Sequence, residues 1–230
     1  MYNSNQGIYL THSIPLFPNF TADGLINTTV DYSETIYAQD IMCVSLTSQQ
    51  LFNLVGVMAI IQPIMYYKHL VLSNDNVTKF TGDILPDLPP SFGFGFIQND
   101  QQFYYIAKSR YSNLYLWDNS VSEFFQTGLR VESWGRPYMP SACPPNVPYS
   151  VLNIASLKVL QYSWLDTQDH SKWAIIDGAN TVCYGDMNRM TSQLGRGGGT
   201  LCIKLDWFYN IHQTIITSSN PCNTASASLA

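Results

Sequence analysis

The chain is poor in charge and has no long apolar run. Only 12% of its 230 residues are charged, against 46% hydrophobic, which excludes a disordered polyelectrolyte and predicts a substantial buried core. The best apolar stretch, residues 51–61, is too short to cross a bilayer, so no membrane is expected among the partners. None of the five cysteines forms a Cys-x-x-Cys pair, the usual mark of a zinc site. Basic residues are scarce as well: 11 Lys and Arg face 16 Asp and Glu, for a net charge of -5. That excludes a protein gripping nucleic acid through a broad basic face at neutral pH. At about pH 5 histidines gain protons and some carboxylates lose charge, so a polyanion becomes easier to hold. The opening residues, Met1-Tyr2-Asn3-Ser4-Asn5-Gln6, lack the basic start and apolar stretch of a signal peptide, so any targeting segment is expected upstream. Internal repeats and a clear linker are absent too.

Strand and helix patterns mix throughout. Residues 7–13 alternate as a strand, and residues 40–46 read as another. Thr47 or Ser48 can cap a helix to Ile61, with Leu51, Leu54, Val55, Met58 and Ile61 apolar and Pro63 as its stop. Strands are predicted over 65–72, 103–107, 114–117, 151–160 and 173–176, and a short helix over 120–126. Residues 82–95 read as a Pro/Gly-rich loop and 137–148 as a pinned loop holding Cys143. Leu201, Leu205, Phe208, His212 and Ile215 share helical spacing. The class is α/β, a sandwich of helices and strands. Three glycosylation sequons begin at Asn19, Asn27 and Asn76, which points to a secretory route.

One stretch carries the chemistry: Asp169-His170-Ser171-Lys172-Trp173, then Asp177, then Gly185-Asp186-Met187-Asn188-Arg189. On an extended strand, residues two apart project from one face, so imidazole and ammonium would enter one pocket while Ser171 points away. A phosphodiester calls for that pairing: lysine for the non-bridging oxygens, histidine to attack phosphorus or protonate a leaving oxygen. Asn188 can donate its amide to the same phosphate. Asp177 can orient a member of the pocket, or it can simply open an Asp-Gly hairpin turn with Gly178.

This array resembles the signature of the phospholipase D superfamily, His-x-Lys, four residues, Asp, a gap, then Gly-Ser-x-Asn. Here the gap is seven residues and Asp186 stands at the serine. Three further blocks narrow the resemblance to the deoxyribonuclease II family. They are Gly7-Ile8-Tyr9-Leu10-Thr11-His12-Ser13-Ile14-Pro15, Arg196-Gly197-Gly198-Gly199-Thr200-Leu201-Cys202 and Pro221-Cys222-Asn223. The resemblance implies a phospholipase D-like α/β sandwich and endonucleolytic DNA hydrolysis at acid pH through a phosphohistidine. It implies 3′-phosphate ends, no metal and no other cofactor. It makes His170 the acid, with Lys172 and Asn188 as phosphate ligands, and places the protein in a lysosome or outside the cell. His12 either supports the site or is a histidine buried with Ile8 and Leu10 on one strand face. The Arg196-Gly197-Gly198-Gly199 run either cradles a phosphate or is the flexible part of a disulfide loop.

The family builds its site from two His-x-Lys motifs, one in each half of a pseudo-dimer. This sequence has one: His12 is followed by Ser-Ile, His69 by Leu-Val and His212 by Gln-Thr. The resemblance also implies the disulfides Cys183–Cys202 and Cys143–Cys222, and it leaves Cys43 unpaired because its partner lies in the N-terminal region. Residues 1–230 are therefore expected to form one deoxyribonuclease II-like domain, incomplete at its N-terminus and weak or inactive alone. A homodimer, or a missing N-terminal segment or subunit, would complete it. A secreted, catalytically silent homologue that binds DNA or a host protein is the rival expectation.

Overall fold

A computed structural model of the chain describes residues 6–15, 19–20, 26–27, 29–63, 89–137 and 139–222. The α/β expectation holds: few helices surround a large mixed sheet. The chain begins with a ribbon of β1 (Gln6–His12) paired antiparallel to β4 (Ile41–Thr47), with a minor pair, β2 (Asn19–Phe20) and β3 (Ile26–Asn27), between them. Asn19 and Asn27 stand opposite one another in that pair; Asn76 and the strand expected over 65–72 lie outside the described residues.

Helix α1 (Ser48–Ile61) starts where the sequence suggests. The Thr47 hydroxyl accepts from Gln50 N–H while the Gln50 side chain accepts from Thr47 N–H, a reciprocal cap that satisfies two otherwise orphan donors. Gln62 closes it in the left-handed conformation. Its buried face is Leu54, Val57, Ile60 and Ile61, turned from the stripe expected through Val55 and Met58.

The main sheet takes β5 (Ser91–Gln98), β6 (Gln101–Lys108), β7 (Leu129–Glu132), β8 (Val151–Val159), β10 (Trp173–Ile176), β11 (Thr181–Gly185), β12 (Gly198–Lys204) and β13 (Ile216–Ser219). Their spatial order is β13-β8-β7-β10-β11-β12-β6-β5, and β9 (Tyr162–Leu165) adds to β8. Only β7 and β8 run parallel among these pairs. Both faces are covered. On one, Phe103, Tyr105 and Leu201 pack under α1, and Trp173, Ile175 and Val182 pack under α3 (Asp206–Ile215). On the other, Ile106, Ala174, Ile176, Cys183 and Cys202 meet Leu116, Trp117 and Val121.

Three local expectations are corrected. Residues 91–95 are strand, not loop: Phe92, Phe94 and Phe96 alternate with Gly93 and Gly95, and a Cβ on Gly93 would lie 2.6 Å from the Phe124 ring. The glycines mark close packing here, not a turn. Residues 114–117 do not form a strand. Leu116, Trp117 and Asp118 are all buried, and a strand cannot turn three consecutive side chains to one core. A π-helical turn, Leu116–Val121, does so and runs into α2 (Ser122–Phe125). Leu201 lies in β12, with the last helix starting only at Asp206. Both faces of β12 are buried, so its apolar positions show no clean alternation.

The two expected disulfides are present. Cys183 and Cys202 are directly paired residues of neighbouring strands, and Cys143–Cys222 ties the proline-rich loop to the segment after β13. Cys43 is a free, exposed thiol.

Candidate active site

The residues singled out in the sequence gather, with one exception, at the end of the sheet where β10 begins and β11 ends. His170 and Lys172 lie just before β10 on an extended segment rather than within a strand. Asp169 shapes that segment. It is 1% exposed, and its carboxylate accepts from the Ser171 N–H (2.8 Å) and the Trp164 indole N–H (2.7 Å). This Asx-type turn buries Ser171 between the half-buried His170 and Lys172.

A second segment, residues 38–40, runs alongside. Ala38 N–H donates to Gln168 O (2.9 Å), His170 N–H to Ala38 O (2.8 Å) and Lys172 N–H to Asp40 Oδ2 (2.9 Å). Tyr37 stacks on the imidazole, ring centroids 4.1 Å and planes 12° apart, and Trp134 approaches at 4.9 Å. Nδ1 of His170 lies 3.2 Å from Gln39 Nε2 and 3.7 Å from Glu34 Oε2. Nε2 is buried and has no hydrogen-bond partner among the described residues. Burial and the nearby Lys172 charge lower the imidazole's affinity for protons, partly offset by Glu34 and Asp169.

Lys172 donates from Nζ to the His170 carbonyl. Burial lowers its pKa while Asp40, Asp169 and Asp186 draw it back up. Asp40 is half-buried and its carboxyl is pushed up to about 6 by burial, against the pull of the Lys172 N–H and charge. Asp186 is held by protein on most sides and is likewise pushed up to about 6 by desolvation, although more than a third of its surface is open. Water screens part of that rise, so Asp40 is the firmer case of a raised carboxyl. Glu132, fully buried opposite Trp173, is raised well above the usual carboxylate range by burial and then by Asp169 and Asp166.

Asn188 is brought to the same end of the sheet. Gly185 N–H donates to Lys172 O (2.8 Å), fixing the start of its loop beside the motif. Arg189 fixes the other side. Its guanidinium is almost fully buried and bonds Asp118 at 2.6–3.2 Å, while its N–H donates to Ser133 Oγ. Between these anchors, Asn188 Oδ1 is buried without a partner among the described residues. His12 ends β1 opposite Ile41, next to Asp40, and its pKa is lowered by burial first and also by the Lys172 charge. It does not share a buried face with Ile8 and Leu10, which are 42% and 44% exposed.

Asp177 is the exception. It closes β10 at the opposite end from Lys172, in the turn with Gly178, and pairs with Arg130 Nε at 3.3 Å. Four intervening strand residues at about 3.3 Å each separate it from the pocket. The glycine run is neither a cradle nor slack. A Cβ on Gly197 would fall 1.7 Å from Ile61 O, and the Gly199 N–H is taken by Asp186 Oδ1 at 2.9 Å. Glu34, Tyr37, Gln39, Asp40 and Trp134 escaped sequence reasoning: they lie far from the motif in the chain, in stretches with no diagnostic spacing. Among the described residues no cluster of three or more His, Cys, Asp or Glu could hold a metal ion, and no helix is long and apolar enough to cross a membrane.

Chemically, the site holds an imidazole with one buried nitrogen unpartnered among the described residues, an ammonium and a carboxamide whose oxygen is likewise buried and unpartnered there. An anion with several oxygens suits that set. The family profile described as Deoxyribonuclease II matches residues 1–222. Rat "Deoxyribonuclease-2-beta" is 28% identical across 97% of this chain and 65% of its own length. In Caenorhabditis elegans, "Cell-death-related nuclease 7" is 26% identical across 98% of this chain and 63% of its own, and "Deoxyribonuclease-2" 30% across 95% and 59%. The chain thus spans less than two thirds of the length of these curated relatives.

Proposed function

We propose that this chain, which belongs to the deoxyribonuclease II family and so to a family of hydrolytic nucleases, carries one half of a phosphodiester-cleaving site. In this reading Lys172 and Asn188 hold the non-bridging oxygens of a DNA phosphate and His170 donates a proton to the leaving oxygen through Nε2. His12 and Asp40 tune the charge around Lys172. The observation that supports it is that the Lys172 amine reaches the His170 carbonyl while the imidazole Nε2 is buried and unpartnered among the described residues.

A phosphohistidine route needs a second imidazole to attack phosphorus, and the sequence holds one His-x-Lys. We therefore read the fold as part of a phospholipase D-like, two-motif pseudo-dimer whose other motif comes from a further segment, a subunit or a second copy. The outer face of the β1–β4 ribbon supports a covering polypeptide: Ile8, Leu10 and Ile41 are exposed there around the free Cys43. Alone, the chain binds DNA at acid pH and hydrolyses it poorly. The three sequons and two disulfides favour a lysosomal or secreted setting. The second reading, a secreted silent homologue that binds DNA or a host protein, is favoured by the single motif.

The test is DNA binding and plasmid nicking at about pH 5, with chelator, by the wild type, Lys172→Ala and His170→Ala. Binding should weaken for Lys172→Ala, and any nicking should vanish for His170→Ala. Equal binding by wild type and Lys172→Ala would remove this site from DNA recognition. Binding without nicking even when the family's other motif is supplied in trans would select the silent homologue.

A further inference from the structure

Nδ1 of His170 has two polar neighbours that ask opposite things of it. The Gln39 amide nitrogen, 3.2 Å away, can only donate, so it requires a lone pair on Nδ1. The Glu34 carboxylate, 3.7 Å away, would prefer a proton there, but that distance is beyond a hydrogen bond. The nearer contact decides, provided the amide cannot turn over. Two bonds prevent the turn. Ser13 Oγ donates to Gln39 Oε1 at 2.7 Å, and Gln39 Nε2 faces Glu34 Oε2 at 3.4 Å. A flipped amide would set its oxygen against that carboxylate. Ser13 is itself fixed by accepting the Asp40 N–H at 2.8 Å, and the backbone of Ala38 and Asp40 binds this segment to 168–172.

We propose that Gln39 is a positioning residue that fixes neutral His170 as the Nε2–H tautomer, so that this nitrogen meets an anionic oxygen as a donor. The phosphate as occupant rests on the reading above; the tautomer does not. The neutral ring then has no lone pair on Nε2 with which to attack phosphorus and binds an oxygen there by hydrogen bond; proton donation falls to the imidazolium, which keeps its Nδ1 proton facing Glu34 and so ends as a neutral ring. The nucleophile must come from the other imidazole. Tyr37, stacked flat on the ring, restricts how the imidazole can turn.

Two-bond proton–nitrogen correlation spectra of the full chain labelled with ¹⁵N-histidine read the tautomer directly, at a pH where the imidazole is neutral and with no DNA present. Only four histidines need distinguishing, and His170→Asn identifies the signal. The wild type should carry its proton on Nε2. Gln39→Met removes the donor, and an ordinary hydrogen bond is worth roughly a 2- to 12-fold change in such a ratio, so the ratio of Nδ1–H to Nε2–H should rise by that factor. Ser13→Ala, which frees the amide to turn, should move the ratio the same way if Gln39→Met does not fold. A wild-type proton on Nδ1, or a ratio unchanged in the folded variants, overturns the assignment. Because the spectrum needs no cleavage, its outcome is separate from that of the nicking assay.

Discussion

The backbone N–H of Lys172 donates to the carboxylate of Asp40 at 2.9 Å, joining two segments 132 residues apart at the base of the candidate site. A carboxyl that serves in this way is half-buried, and its pKa rises from 3.8 to about 6.

A folded-state pKa raised above the unfolded value stabilises the protein when the group is protonated. For Asp40 that contribution is complete below about pH 4 and is lost as the pH climbs through about 6. Asn cannot ionise and can still accept the Lys172 N–H. The stability of Asp40→Asn relative to the wild type should therefore rise between pH 4 and pH 7, by about 1–3 kcal/mol. Urea unfolding of both proteins at the two pH values measures this; a difference independent of pH would mean that Asp40 is not held protonated by the fold.

The Arg189–Asp118 pair is buried on both sides and Arg189 also donates to Pro140 O and Asn153 Oδ1. Removing one partner leaves an uncompensated buried charge, so Arg189→Met should cost roughly 3–5 kcal/mol. The loop that carries Asn188 would lose its anchor too. Thermal unfolding would reveal the first effect, and weaker acid-pH DNA binding by the surviving folded fraction the second.

Much of the scaffold could be read in the residues. Alternation marked β1, apolar runs marked β4 and β10, and a cap at Thr47 or Ser48 marked the start of α1. Period-two reasoning failed where both faces of a strand are buried, as in β12, and where Phe and Gly alternate, as in β5. The site was half legible. His170, Lys172 and Asn188 announce themselves by spacing, whereas Gln39 and Asp40 reach the motif only through tertiary pairing, which leaves no local pattern. Asp177 sits where its Asp-Gly pair alone would put it, in a hairpin turn.

The salt dependence of DNA binding counts the phosphates that the chain neutralises. Each phosphate neutralised contributes about 0.9 to the slope of log affinity against log salt. Lys172→Met should reduce that slope by about 1 at acid pH, in titrations of a short duplex. An unchanged slope would mean that Lys172 touches no phosphate.

Gly197 leaves no room for a side chain, since a Cβ would meet the Ile61 carbonyl. Gly197→Ala should destabilise by about 1–3 kcal/mol, the usual range for overpacking. Calorimetry would check this, and a neutral result would show that the start of β12 yields easily at the end of α1.

The tie between Cys143 and Cys222 also bears on survival among proteases. An exopeptidase working inward from the carboxyl end would meet a cross-linked residue before it reached β13, and trimming should stall there until a reductant opens the link. The endmost strand of the sheet is guarded against digestion by a residue in a loop 79 positions earlier.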